Sequence, residues 1–179
     1  NAPLADSVVG NPMASLITTS GLVFSLEAVS RTELQLATLS CTSGSCSPTV
    51  EHRYDVTLPA NSLGTLSFGS TYDCAFASYP TATGTQVVWA LGGNLITATA
   101  PATEFRVGGY SRNSVLGAGR VGGAIQLYNA YGCALSFAPV GPPLNVTAVS
   151  YLPLQIGNRA ALLYIDGAQG NAVKLVYAQ

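Results

Sequence analysis

Short runs of alternating polar and apolar residues, separated by turn residues, are the feature that most constrains the fold of this chain. Residues 50–58 alternate along their whole length, so that His52 falls on the opposite side of an extended strand from Arg53. Similar runs, rich in Val, Thr, Tyr and Leu, recur along the sequence at the spacing of strands. This pattern predicts an all-β fold, either a β-sandwich or a jelly roll.

The predicted strands are short, and turn residues separate them. They cover residues 32–39, 50–58, 63–68, 72–79, 85–91, 95–99, 104–110, 123–128, 133–137, 144–151, 160–165 and 172–177. Turns are predicted at residues 59–61, 80–84, 92–94, 141–143 and 166–171. Residues 22–37 fit a helical period as well as local alternation, so helix and strand compete there.

The first residues differ in character from the rest of the chain. Pro3, Gly10 and Pro12 interrupt an apolar segment there. We predict an N-terminal extended arm over residues 1–19 and a single β-sandwich domain over residues 20–179. The arm is either a first strand within its own chain or a strand donated to another subunit. The apolar side chains that would bind a neighbouring subunit are Leu4, Val8, Val9, Met13, Leu16 and Ile17.

Charged residues are scarce, and this excludes several functional classes. Only 15 of the 179 residues are charged, and the net charge is −1. The chain therefore lacks the basic patch that a nucleic-acid partner requires. Its apolar stretches are too short to predict a membrane-spanning helix. So few charges give little electrostatic protection against self-association, and this favours a surface covered by like subunits, glycans or a larger assembly.

Four cysteines indicate disulfides in an oxidising compartment. Three pairings are possible, and we favour Cys41–Cys46 across a short loop together with Cys74–Cys133. The alternative is a metal site at Cys41, Cys46 and His52, but the spacing fits no familiar zinc pattern. We therefore predict no metal and no cofactor.

The start at Asn1, without an initiator methionine, predicts a mature exported chain whose signal peptide has been removed. A boundary chosen for expression would look the same. The sequence Asn145-Val146-Thr147 is a sequon, which makes Asn145 a candidate glycosylation position on the surface.

Catalytic signatures are weak throughout the sequence, and we predict no catalytic residue and no enzyme. His52 is the only histidine, and Asp55 falls on the other face of the same predicted strand, where it would not orient His52. The sparse acids define no glycosidase pair. Residues 117–122 match G-x-G-x-x-G, but a strand-like run follows where a dinucleotide site needs a helix. We interpret these residues as a loop or a tight strand bend.

The start at Asn1, the interrupted apolar arm up to Ser20 and the neutral β-rich body 21–179 together resemble extracellular filament subunits built by donor-strand exchange. Archaeal bundling pili and threads and the TasA-type biofilm fibres are of this kind. The resemblance implies a cell-surface appendage for adhesion or biofilm formation, in which the N-terminal strand completes the sheet of the next subunit. Its partners would be copies of itself in a head-to-tail polymer, neighbouring filaments or cell-surface glycans.

Three alternatives remain open on the sequence. One is a secreted module that binds carbohydrate or another surface ligand through exposed tyrosines. The others are a capsid or coat jelly roll and a small secreted hydrolase.

Overall fold

The structure is a computed structural model of the 179-residue chain. It describes residues 14–17, 23–30, 33–42, 45–55, 67–71, 74–81, 84–91, 94–109, 113–134 and 136–178.

The described residues are almost entirely β-structure. The strands are β1 (Ala14–Ile17), β2 (Val23–Ser30), β3 (Glu33–Thr42), β4 (Ser45–Asp55), β5 (Ser67–Ser70), β6 (Ala75–Thr81), β7 (Gly84–Leu91), β8 (Asn94–Thr99), β9 (Thr103–Gly108), β10 (Ser114–Val121), β11 (Ala124–Tyr131), β12 (Ala138–Leu144), β13 (Ala148–Ile156), β14 (Arg159–Asp166) and β15 (Ala172–Tyr177). A single 3₁₀ turn at Gly167–Gln169 is the helical element among these residues. The all-β prediction is confirmed.

The strands form four antiparallel sheets, each a simple meander. Sheet I contains β1–β4, sheet II β5–β8, sheet III β9–β12 and sheet IV β13–β15, and within each sheet every strand pairs with its neighbour in sequence. A jelly roll requires connections between strands that are distant in sequence. Of the two predicted architectures, the described strands therefore form the sandwich-like one.

The four sheets pack in chain order, with sheet I against II, II against III and III against IV. One apolar cluster lies between sheets II and III and includes Phe76, Val87, Phe105 and Val115. A second lies between sheets III and IV and is built on Ile125, Leu127, Leu162, Tyr151 and Tyr164. Sheet III is thus buried on both faces, which explains why six consecutive residues of β10 are buried.

The edge strand β9 lies across sheet II and is held there by side-chain hydroxyl groups. The backbone N–H of Val107 donates to the Oγ atoms of Ser67, at 2.8 Å, and Ser78, at 3.2 Å. The two serine hydroxyls are also hydrogen-bonded to each other. The N–H of Phe105 donates to Thr85 Oγ1 at 3.3 Å. Because all three hydroxyl-bearing residues are buried, they replace the water that an edge strand would otherwise need.

Strand β10 was not among the predicted strands, because its glycines indicate a loop. Gly117 lies inside β10, directly below the ring of Phe105, and a Cβ there would come within 2.2 Å of that ring. The motif ends in the two-residue turn Gly122–Gly123, which leads into β11 and has positive φ at both residues. The dinucleotide alternative is therefore wrong, because strand, turn and strand follow one another where that site needs a helix.

The turn predicted at residues 141–143 is also wrong, since these residues belong to β12. β12 is the second edge strand of sheet III, opposite β9, and proline at an edge costs no ladder hydrogen bond. The positive φ of Gly141 accompanies a shift in register with β11, and the Gln126 side chain donates to the carbonyls of Val140 and Gly141 there. The strand predicted at 133–137 lies instead in the connection between β11 and β12.

In the ambiguous segment 22–37, the described residues 23–30 and 33–37 are extended. The segment contains β2 and the first half of β3, which pair antiparallel with Leu26 opposite Leu36. Local alternation therefore predicts this segment better than the helical period does.

We expect the buried hydroxyl pair to stabilise the packing of β9 on sheet II. Either Ser67→Ala or Ser78→Ala leaves one acceptor for Val107 N–H, whereas the double variant leaves that buried donor without a partner. The double variant should lose about 1–3 kcal/mol of unfolding free energy, more than the sum of the two single changes. Denaturant titration measures these values.

Thr97→Ala, at an exposed position of β8 in the same sheet, is the matched control. It should change stability by less than about 0.5 kcal/mol. Additive losses from the two serine variants would contradict the shared-acceptor interpretation.

Candidate assembly surface

Sheet IV turns an apolar face away from the rest of the molecule. The register places Leu152, Leu163 and Leu175 in one cross-strand row. The neighbouring row, two residues along each strand, contains Ser150, Ile165 and Val173. Alternate residues of these strands, such as Tyr151, Leu162 and Tyr164, point into the core between sheets III and IV. We call the outward side, including these two rows, the outer face of sheet IV.

This face leaves large apolar side chains in water. Val173 is 69% exposed, Leu175 43% and Leu152 36%. At the far end, Ile156 is 41% exposed beside Arg159, whose guanidinium lies 4.4 Å from the centre of the Tyr177 ring. Scattered exposed apolar residues are normal, but a contiguous set on one face marks an interaction surface.

A groove crosses this face and reaches the neighbouring strand β9. It has a volume of about 310 Å³ and is lined by Arg106, Ser150, Tyr151, Leu152, Leu163, Tyr164, Ile165 and Val173. The lining is apolar except for a serine hydroxyl, two tyrosines and one guanidinium. Such a groove suits an apolar segment that carries one negative charge.

Tyr151 anchors the end of the groove. Its hydroxyl donates to the backbone carbonyl of Glu104 at 2.6 Å, while the guanidinium groups of Arg106 and Arg120 lie 5.5 Å and 5.7 Å from its ring centre. Burial raises the pKa of Tyr151 to about 12, the Glu104 carboxylate adds to the increase, and the two arginines oppose it. The phenol therefore remains neutral and keeps donating throughout the physiological range.

The two arginines beside Tyr151 differ in their partners. Arg120 Nε lies 2.7 Å from the Glu104 carboxylate, and its terminal nitrogen also donates to the Ala148 carbonyl. Glu104 has φ 49°, in the left-handed region, at the point where β9 shifts register against β10. Arg106 is half-buried and forms no ion pair with any residue that the structure describes. Its charge is therefore available to an acidic group entering the groove.

The predicted arm is only partly within the described residues. Leu16 and Ile17 lie in β1, where they pair with Phe24 and Val23 of β2. The end of the arm is therefore a strand of the chain's own sheet I. Leu4, Val8, Val9 and Met13 lie outside the described residues.

The disulfide prediction is confirmed for Cys74–Cys133, whose Cα atoms are 5.6 Å apart. This bond, of the kind that persists outside the reducing cytosol, joins the segment before β6 to the segment after β11. Cys41 and Cys46 are direct partners in the β3–β4 register, which is compatible with the second predicted bond. Asn145 is exposed between β12 and β13, as a sequon requires.

The described residues that were considered for catalysis or sugar binding are spread over several strands. His52 lies in β4, and the Asp55 side chain at the end of that strand is exposed. Among the described residues, no group of three or more His, Cys, Asp or Glu could hold a metal ion. Tyr79, Tyr128, Tyr151 and Tyr164 are buried, whereas Tyr131 is 70% exposed. The described part of the chain also contains no helix with the length and apolar character needed to cross a bilayer.

Sequence reasoning did not identify the outer face of sheet IV. A signal exists in residues 160–165, which are apolar at almost every position, as in a strand covered on both sides. In the structure the described strands cover β14 on one side only, since sheet IV is the last of the series that they form.

Neither a scan against known protein-family models nor a search of curated proteins finds a match to this chain.

The raised pKa of Tyr151 predicts a stability change in alkaline solution. The phenol has a pKa near 10 in the unfolded chain and about 12 in the folded protein, so the unfolded state loses its proton first. Its contribution should be fully present below about pH 10 and should decline as the pH rises to about 12. Urea titrations at a series of pH values measure the decline.

Tyr151→Phe should make this decline shallower and should cost about 1 kcal/mol at neutral pH through the lost hydrogen bond to Glu104. Burial also raises the pKa of Tyr79 and Tyr128, so part of the slope should remain. Tyr131→Phe, at an exposed tyrosine, is the control and should keep the full slope. An unchanged slope in Tyr151→Phe would contradict this assignment.

Proposed function

We propose that this protein is the structural subunit of an extracellular filament, in which each copy binds the next through its N-terminal segment. The observation that carries the proposal is the apolar outer face of sheet IV, on a chain in which only 8% of residues are charged. Burying that face against another copy removes apolar area from water, at about 25 cal/mol per Å². An exposed apolar face either binds a partner or promotes aggregation. Where identical copies all bind through the same face, that face is an assembly interface.

The series of four sheets supports an open polymer in particular. Sheet I, whose first strand β1 follows the N-terminal segment in the sequence, and sheet IV, which carries the apolar face, are the first and last sheets of the series. A contact that joins two different surfaces of the same molecule is heterologous, and it produces a filament when the rotation does not close. Adhesion or biofilm formation is the role we propose for such a filament at the cell surface.

Negative-stain electron microscopy of the untagged protein, together with light scattering, tests this function. We expect filaments of uniform width and a scattering mass far above the 18.3 kDa of one chain. A monodisperse monomer at all concentrations would refute the filament proposal. In that case, glycan-array binding would test the carbohydrate-binding alternative.

We expect assembly to require Val173, the most exposed position of the apolar outer face of sheet IV. Val173→Lys places a charge on the 69% exposed valine of β15 and should abolish filaments without unfolding the domain, since the position already faces water. Val121→Lys is the matched control: it makes the same change at a valine that is 44% exposed beside the β10–β11 turn. Equal effects of the two variants on filament mass would contradict a specific role for sheet IV.

The N-terminal segment should also be required. Because residues 14–17 form β1 of the chain's own sheet, deleting residues 1–19 would remove that strand together with the arm. Deleting residues 1–13 is the sharper change, and it should abolish assembly with little change in melting temperature. If the truncated protein still forms fibres, the segment is not the donor.

A further inference from the structure

We infer that the groove on the outer face of sheet IV is the acceptor for residues 1–13 of a neighbouring copy, with Asp6 of that copy paired to Arg106. This inference rests on the proposed function, and it specifies which surfaces join. It concerns a contact between two copies of this chain and requires no other partner.

The acceptor side is defined by one charge in apolar surroundings. Arg106 lines the groove beside Leu152, Leu163, Ile165 and Val173 and has no ion-pair partner among the described residues. Its neighbour Arg120 is already neutralised by Glu104. A half-buried guanidinium with an unmet charge favours one carboxylate on an otherwise apolar ligand.

The donor side has the matching composition. Asp6 is the only acidic side chain among the first 26 residues of the sequence, which contain no lysine or arginine. Leu4 and Val8 stand two positions to either side of it. In an extended strand these three side chains share one face and follow each other at about 7 Å. The segment therefore presents an acid between two apolar groups.

The spacing of the acceptor fits this pattern. The row of Ser150, Ile165 and Val173 and the leucine row beside it are two residues apart along each strand, which is also about 7 Å. An extended segment lying along the strands can place successive outward side chains on successive rows. With Val8 over the leucine row, Asp6 lies over the row of Ser150, Ile165 and Val173 and can reach the guanidinium of Arg106, which lines the same groove. Leu4 then lies about 7 Å beyond that row.

The reach of the segment is sufficient for a neighbour. Thirteen extended residues span about 45 Å, which is more than twice the length of an average strand. The segment precedes β1 of sheet I in the sequence, whereas the groove is on sheet IV. Docking in the next copy joins one end of the sheet series to the other, which gives the head-to-tail repeat of a filament.

Charge reversal tests the pair. Asp6→Arg and Arg106→Asp should each raise the critical concentration for assembly by about tenfold or more, because each sets like charges against each other. The double variant D6R/R106D should restore assembly. An equimolar mixture of the two single variants should also assemble, since each arm then finds an opposite charge in the other variant's groove. Light scattering against concentration, with electron microscopy of the same samples, gives the readout.

The control is Arg53→Asp, a charge reversal at the exposed arginine of β4 in sheet I, which should leave the critical concentration unchanged within about twofold. Melting temperatures establish that each variant is folded. Arg106→Asp loses the contact with the Tyr151 ring. If that variant does not fold, the pairing is tested with Asp6→Arg and with the two neutral variants Asp6→Asn and Arg106→Gln.

The outcomes separate this inference from the function on which it rests. Absence of assembly in the unaltered protein refutes the filament itself. Normal filaments from Asp6→Arg and Arg106→Asp refute the pairing and leave the filament proposal intact. Rescue by the double variant without rescue by the mixture means that the segment docks within its own chain, which overturns the intermolecular inference.

Discussion

The packing of β9 against sheet II is the interaction on which the rest of the structure depends. An edge strand can be buried only if its free N–H groups find acceptors, and here Ser67, Ser78 and Thr85 supply them from a sheet face that is otherwise apolar. Because these N–H groups have acceptors, Phe105 and Val107 of sheet III can pack against sheet II, and sheet III becomes the central layer. The Cys74–Cys133 disulfide, part of the same core, joins the segments next to these two sheets.

The central position of sheet III determines where the molecule can bind a partner. Its second face is covered by sheet IV, and sheet IV has no further sheet of the described chain to cover it in turn. The polar cluster around Tyr151 lies where the two sheets meet, and it holds Arg106 at the border between core and surface. The apolar outer face and the guanidinium beside it are therefore consequences of the same stacking order.

The sequence predicts the fold class well and the surface poorly, for physical reasons. Alternation in a strand reports its own two faces, so most of the later strands could be identified from the pattern alone. At residues 22–37 the pattern left helix and strand open, and only the structure decides between them. β10 and β12 could not be identified, because Gly117 depends on a ring from another strand and Pro142 is tolerated only at a sheet edge. The pairing of Cys74 with Cys133 could be favoured because Cys41 and Cys46 flank a short loop that can turn tightly, which leaves the other two cysteines for each other. The outer face of sheet IV could not be found, because its exposure depends on how the sheets are ordered in space.

The meander arrangement has a consequence for how the chain folds. Every ladder in the described sheets joins strands that are consecutive in sequence, so each sheet can form with short loop closures and without waiting for a distant segment. During vectorial emergence of the chain from its N-terminus, sheet I is completed first and sheet IV last. The apolar outer face therefore comes into existence only when the final strands arrive. The order of the strands in the sequence therefore prevents a nascent chain from contacting its neighbours through this face before its last strands are made.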